Sequence, residues 1–110
     1  MRDFRSFRLP ELRKSSTNTF MEDRFDPAKD AINRRQHQLS LVFGDRLFED
    51  ADHLIVPTIR VEDGEERYKV IGRVGEKLFT GVFTWRVGLP RFMSVRRSNT
   101  SEERAYRNPG

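Results

Sequence analysis

The fold is decided by the stretch Glu66-Arg-Tyr-Lys-Val-Ile-Gly-Arg-Val74, Gly75-Glu76, Lys77-Leu-Phe-Thr-Gly-Val-Phe-Thr-Trp85. Two β-rich runs flank a short turn that holds a glycine, the pattern of an antiparallel hairpin. Alternation puts Arg67, Lys69, Ile71 and Arg73 on one face of the first run and Glu66, Tyr68, Val70 and Gly72 on the other. If the Val70 face packs on helices, Arg67, Lys69 and Arg73 form a cationic row on an exposed face. An open antiparallel sheet also carries such a polar face for solvent alone.

Working outward, His53–Val61 is a β-rich run in which Pro57 removes a ladder donor and marks an edge or a bulge. Glu62–Glu65 reads as its turn into the hairpin. After Trp85, residues Arg86–Pro90 turn the chain into Arg91–Arg97. Helical signals lie at both ends. Asp26-Pro27 places an N-cap before a first-turn proline, and the spacing that follows puts Lys29 and Asn33 on one stripe. A second short helix is predicted from Ser40, with Leu41, Phe43, Gly44, Leu47 and Phe48 as its apolar side. A last helix is predicted over 99–107, capped by Asn99 or Thr100 with Glu102 or Glu103 closing a capping box. Two helices, four strands joined by short turns and a final helix make an α+β protein with an antiparallel meander.

The join between the last strand and the last helix delivers Arg96 and Arg97 to a helix N-terminus. There, backbone N–H groups and cationic side chains can converge on a phosphate. Arg96, Arg97 and Tyr106 are the first candidates for chemistry. Alternation offers a plainer reading, in which one arginine turns inward to a salt bridge and the other outward.

The totals bound the rest. A chain of 110 residues is one small domain, and such domains bury only about 60–70% of their unfolded surface. There is no cysteine, which removes disulfides, thiolate nucleophiles and cysteine zinc sites together. His37 and His53 have no third histidine beside them, so no metal or other cofactor is expected. No apolar run approaches the ~20 residues that span a bilayer, and the arginine-rich start lacks a secretory h-region. A soluble, cytoplasmic protein is the expectation. Residues 1–20, with five Lys/Arg against two Asp/Glu, read as a disordered basic arm or as the product of an early start codon, with Met21 opening the patterned part. Residues 21–85 carry ten cations against thirteen anions, and residues 86–110 six against two. The patterned part is therefore acidic first and basic at its end, which favours one cationic face and an anionic partner.

Taken in order, Phe25-Asp26-Pro27-Ala28-Lys29, Asn33, His37, Leu39-Ser40, Gly64-Glu65-Glu66-Arg67-Tyr68 with Ile71-Gly72, Val82-Phe83-Thr84, and Ser94-x-Arg96-Arg97-x-Asn99-x-x-Glu102-x-Arg104-x-Tyr106 resemble the BrnT family of toxins. Phe25 stands where that family commonly has tryptophan. Gln38 replaces the glycine that usually follows the histidine, leaving the helix without its left-handed terminator. The resemblance implies a RelE-like fold and metal-independent cleavage of mRNA. It also implies neutralisation by a BrnA-like ribbon–helix–helix antitoxin, with operator DNA bound only through the toxin–antitoxin complex.

Such cleavage needs a 2′-hydroxyl deprotonated, a phosphorane stabilised and a 5′-oxygen protonated. Arg67, Arg96 and Arg97 suit the second task, since guanidinium forks match phosphate oxygens. His37 has the right intrinsic pKa for a base, although a histidine ending a helix also serves as a cap. Glu66 is the other base candidate, or else the residue that orients Arg67. Lys29, Lys69 and Arg73 are candidate phosphate contacts. Tyr106 is placed either to stack a base or donate to phosphate, or to anchor the last helix on the sheet. The alternative function is a non-catalytic nucleic-acid-binding or corepressor module.

Overall fold

Asp26 and Pro27 open the first helix, α1 (Pro27–His37), in the computed structural model, which describes residues 24–60 and 65–109. The Asp26 side chain accepts from the Ala28 N–H at 2.9 Å, satisfying one of the donors that a helix start leaves open. Gln38 ends the helix in the left-handed conformation (φ 58°), its N–H donated to the Arg34 carbonyl at 3.0 Å. This corrects the expectation that the helix lacks such a terminator. Gln38 supplies it in glycine's place, at a steric cost of about 1–2 kcal/mol.

A 3-10 turn (Leu41–Phe43) runs into the short helix α2 (Gly44–Leu47). The strands follow as β1 (Leu54–Arg60), β2 (Glu65–Val74), β3 (Lys77–Arg86) and β4 (Leu89–Arg97), paired antiparallel in that order. Gly75 provides the positive φ (65°) between Val74 and Lys77. The second hairpin is tighter than the expected Arg86–Pro90 turn: Arg86 pairs with Leu89, leaving Val87 (φ 52°) and Gly88 (φ 77°) at the tip. Met93 is the extra residue of a bulge, because Phe83 pairs with Phe92 while Val82 pairs with Ser94. The leading arm expected at residues 1–20 lies outside the described residues, as does the turn expected at 62–65 except for Glu65, which opens β2.

One face of the sheet builds the main core. Val70, Phe83, Phe92 and Val95 are sealed beneath Phe25, Leu41, Leu47 and Phe48. Each large side chain so buried contributes about 1.5–3 kcal/mol. The helices sit close. A Cβ on Gly72 would lie 2.6 Å from the Leu47 carbonyl oxygen. Arg24 ties the chain entering α1 to β4 and α2: its Nε donates to the Pro90 carbonyl at 3.0 Å and its Nη2 pairs with Asp45.

The opposite face is not open along its length. The last helix, α3 (Thr100–Arg107), lies on it, and Ile71, Leu78 and Tyr106 form a second buried cluster. This corrects the picture of a freely exposed Arg67–Lys69–Arg73 row. Ile71 shares that face, is 1% exposed, and gives α3 an apolar seat in the middle of the cations. Arg73 is exposed, whereas Arg67 and Lys69 are half-buried. The whole is an α+β antiparallel meander with a C-terminal helix, compatible with a RelE-like arrangement.

Candidate functional site

Asn99 caps α3 by accepting from the Glu102 N–H at 2.8 Å, and Glu102 closes the box by accepting from the Asn99 N–H at 2.9 Å. The register of β3 and β4 sets Thr80 opposite Arg96, and that of β2 and β3 sets Lys69 opposite Val82 and Ile71 opposite Thr80. All of these point to the α3 side. The carboxylate of Glu102, 5% exposed, therefore enters a ring of donors. Arg96 grips it end-on with both terminal nitrogens, Nη1 to Oε1 and Nη2 to Oε2, each at 2.7 Å. Thr80 Oγ1 donates to Oε1 at 3.0 Å, and Lys69 Nζ donates to Oε2 at 3.1 Å.

This ring has the composition of a phosphate cradle: a guanidinium fork, an ammonium, a hydroxyl and a helix N-terminal N–H. Its anion is the protein's own carboxylate. Burial alone would raise the Glu102 pKa, but Arg96, the Asn99 N–H and Lys69 outweigh it and hold the carboxyl down at about 2. In return, the Glu102 hydrogen bonds raise the Arg96 pKa against the pull of burial. Glu102 is thus a permanent anion near neutral pH and has no basicity to lend. In the sequence Glu102 is legible only as a capping residue, because a capping box looks the same whether or not cations from a sheet lie beside it.

Arg67 lies on the same face of β2, two residues from Lys69, with Thr58 as its β1 partner. Arg73 is on that face beyond Ile71, with its backbone N–H donated to Asp50 at 2.8 Å. Arg67, Lys69, Arg73 and Arg96 are the predicted cationic site residues that the fold brings to one side of the sheet.

Of the others, Tyr106 lies on this side within α3, and Arg97, Glu66, Lys29 and His37 lie off the cluster. Arg97 is on the opposite face, its guanidinium 5.5 Å from the Phe79 ring centroid. Phe79 meets Phe43 edge-on at 4.8 Å, and Arg46 covers Phe43. Glu66 also alternates away from Arg67 and accepts from the Tyr68 hydroxyl at 2.8 Å. Lys29 is exposed on α1 and His37 half-buried at its end. Tyr106 is 8% exposed among Ile71 and Leu78, with its hydroxyl donated to Asp50 at 2.6 Å. Burial and the Asp50 hydrogen bond push its phenol up to about 12. Burial would raise the Asp50 carboxyl, yet Tyr106 and the backbone N–H groups of Asp52 and Arg73 hold it below the usual range.

Two further residues carry structure that the sequence did not announce. Asn33, 3% exposed, accepts from the Val95 N–H at 2.9 Å and donates to the Val95 and Leu39 carbonyls at 2.8 Å each. His53 is 2% exposed against Phe48, with Nδ1 2.8 Å from the Asp50 carbonyl.

The family model for BrnT, the ribonuclease toxin of type II toxin–antitoxin systems, matches residues 25–102. The chain belongs to the BrnT family. That membership makes it a ribonuclease toxin of a type II toxin–antitoxin pair, with RNA as target and an antitoxin as partner. No curated protein matches the chain. The matched region spans well over half of the sequence and ends on Glu102, so it takes in the entire Glu102 ring and leaves Tyr106 outside. Among the described residues, no helix is long and apolar enough to cross a membrane.

Proposed function

We propose that this BrnT toxin is a metal-independent endoribonuclease that cuts mRNA on the α3 side of the sheet. Arg67, Lys69 and Arg96 hold the scissile phosphate there, and Arg73 extends the cationic track. The observation that carries this reading is the ring around Glu102, which fixes two cations side by side with a third on the same strand face. Preorganised donors of this kind stabilise the charge that builds on a phosphorane and need no reorganisation as it forms. Attack by the neighbouring 2′-hydroxyl, its proton taken by a base and one returned to the leaving 5′-oxygen, would leave a 2′,3′-cyclic phosphate and a 5′-hydroxyl; His37 is the candidate base in this reading, since Glu66 faces the other side of the sheet. Among the described residues, no group of three His, Cys, Asp or Glu side chains could hold a metal ion. The partner in this reading is a BrnA-like ribbon–helix–helix antitoxin, operator DNA is bound through the complex, and the toxin acts in the cytoplasm.

The purified protein is incubated with RNA in EDTA. Cleavage that survives the chelator and falls by roughly 10²–10³ in Arg96→Ala supports the proposal. RNA left intact but still bound would reject it in favour of a non-catalytic nucleic-acid-binding or corepressor module. Two observations favour that second reading: Glu102 is saturated as an acceptor, and Glu66 faces away from Arg67.

A further inference from the structure

Glu102 accepts five hydrogen bonds, from Asn99, Thr80, Lys69 and twice from Arg96. A carboxylate offers about four lone-pair positions, and a capping box uses only the one that reaches back to the N-cap N–H. The remaining bonds go to a sheet hydroxyl and to two cations of the proposed site. The consequence for Arg96 is specific. One N–H of each terminal nitrogen is spent on Glu102, and Nη1 also donates to the Arg97 carbonyl at 3.2 Å. What remains is Nε–H and the outer N–H of Nη2. These lie along one edge of the guanidinium and make a second fork, suited to two oxygens of a phosphate. Among the described residues, no acceptor takes them.

From this we infer that Glu102 is a positioning residue of the ribonuclease site: it locks Arg96 end-on so that the Nε–Nη2 fork, beside Lys69, is presented to the scissile phosphate. The inference rests on the ribonuclease reading for its substrate, and on the hydrogen-bond geometry for its mechanism. Glu102 itself touches no reacting atom. It also sets the local charge, because one carboxylate offsets one of the two cations and leaves the pair with a single net positive charge. An unpaired Arg96 would attract phosphate at least as strongly but in many orientations.

The test is Glu102→Gln, which keeps an N3 side chain able to close the capping box. In Glu102→Gln, kcat on RNA should fall on the order of 10²-fold while KM stays the same or drops, since orientation is lost and positive charge is gained. In an Arg96→Lys background, which keeps a charge on Glu102 but removes the fork, adding Glu102→Gln should cost less than about 3-fold more. A residue that only held α3 in place would instead lower the melting temperature and leave kcat per folded molecule unchanged in either background. A readout independent of cleavage is the Arg96 Nε–H resonance on addition of a 2′-deoxy oligonucleotide. It should shift as one sharp line in the unmodified protein and only broaden, averaged over many orientations, in Glu102→Gln. If it shifts while RNA stays uncut, the ribonuclease reading fails and the positioning stands. If it does not shift in the unmodified protein, or responds alike in both proteins, the positioning is overturned whether or not RNA is cut, and kinetic losses that multiply overturn it where RNA is cut.

Discussion

Arg96 and Glu102 meet fork to fork at 2.7 Å across the joint between β4 and α3, and this pair makes the fold acid-sensitive. The Glu102 carboxyl is held at about 2 against an ordinary value of 4.5. A folded-state pKa below the unfolded one contributes stability that is complete above the unfolded value and is lost as pH falls through the folded value. The window is therefore about pH 4.5 to 2, and the contribution is about 3 kcal/mol. Urea midpoints should fall steeply across that window in the unmodified protein. Glu102→Gln should be less stable at pH 7 and converge with the unmodified protein near pH 2. Parallel curves at every pH would reject the assignment.

Asn33 gives the outer edge of β4 a surrogate strand. Its side-chain amide pairs with both the N–H and the carbonyl of Val95, as a neighbouring peptide would. Asn33→Ala leaves both groups without that partner in a buried setting, at about 1–3 kcal/mol each. The melting temperature should drop by at least about 10 °C. A drop of only a degree or two would mean that water replaces the amide at no cost.

What the sequence made legible was short-range. Asp26 with Pro27, Gly75 between Val74 and Lys77, and Asn99 with Glu102 each act within four residues, and each marks an element boundary that the fold uses. Contacts between distant residues left no such mark. Asn33 and Val95 are 62 positions apart, and Asp50 and Tyr106 are 56 apart. Ile71 was hidden for another reason. One apolar residue among Arg67, Lys69 and Arg73 looks like chance on a solvated face, until α3 supplies Tyr106 to meet it. Alternation already divided the adjacent arginines between two faces, while which of them would meet a salt bridge awaited the register of β3 and β4 and the docking of α3.

Tyr106 and Asp50 make the reverse case at high pH. The Tyr106 phenol is pushed up to about 12 by burial and by its hydrogen bond to Asp50. A raised folded pKa means that its contribution is complete below about 10 and is lost as pH rises towards 12. Tyr106→Phe should cost about 1.5–3 kcal/mol at pH 7, the range for hydrogen bonds to charged groups, and should flatten this alkaline loss. RNA cleavage per folded molecule should stay within about threefold of the unmodified rate. A large fall in that rate would bring Tyr106 back as a group that touches substrate.

Gly72 lets β2 lie against α2. An added Cβ would stand 2.6 Å from the Leu47 carbonyl oxygen and 3.0 Å from its Cα, and neither backbone atom can swing aside as a flexible side chain would. Gly72→Ala should destabilise by about 1–3 kcal/mol through overpacking. Gly75→Ala has open space around its Cβ and should lose only the cost of its positive φ, about 1–2 kcal/mol. Denaturant melts of the two variants, followed by tryptophan fluorescence from Trp85, would show whether close packing or backbone conformation matters more.

Arg96 and Arg97 are adjacent in sequence and serve opposite faces of the sheet. Arg96 joins Lys69 on Glu102, while Arg97 lies over Phe79 at the margin of the main core. If the scissile phosphate is held on the α3 side, the two must differ sharply in single-turnover cleavage of one defined RNA. Arg96→Ala should slow the reaction by about 10²–10³, and Arg97→Ala by less than about tenfold. The Arg97 loss should appear as a small drop in stability, since an exposed cation–π contact is worth about 0.5–1 kcal/mol. An Arg97→Ala protein that is folded and as slow as Arg96→Ala would move the phosphate to the Phe79 side. Glu66, which also faces that side, would then be the nearer candidate for the base.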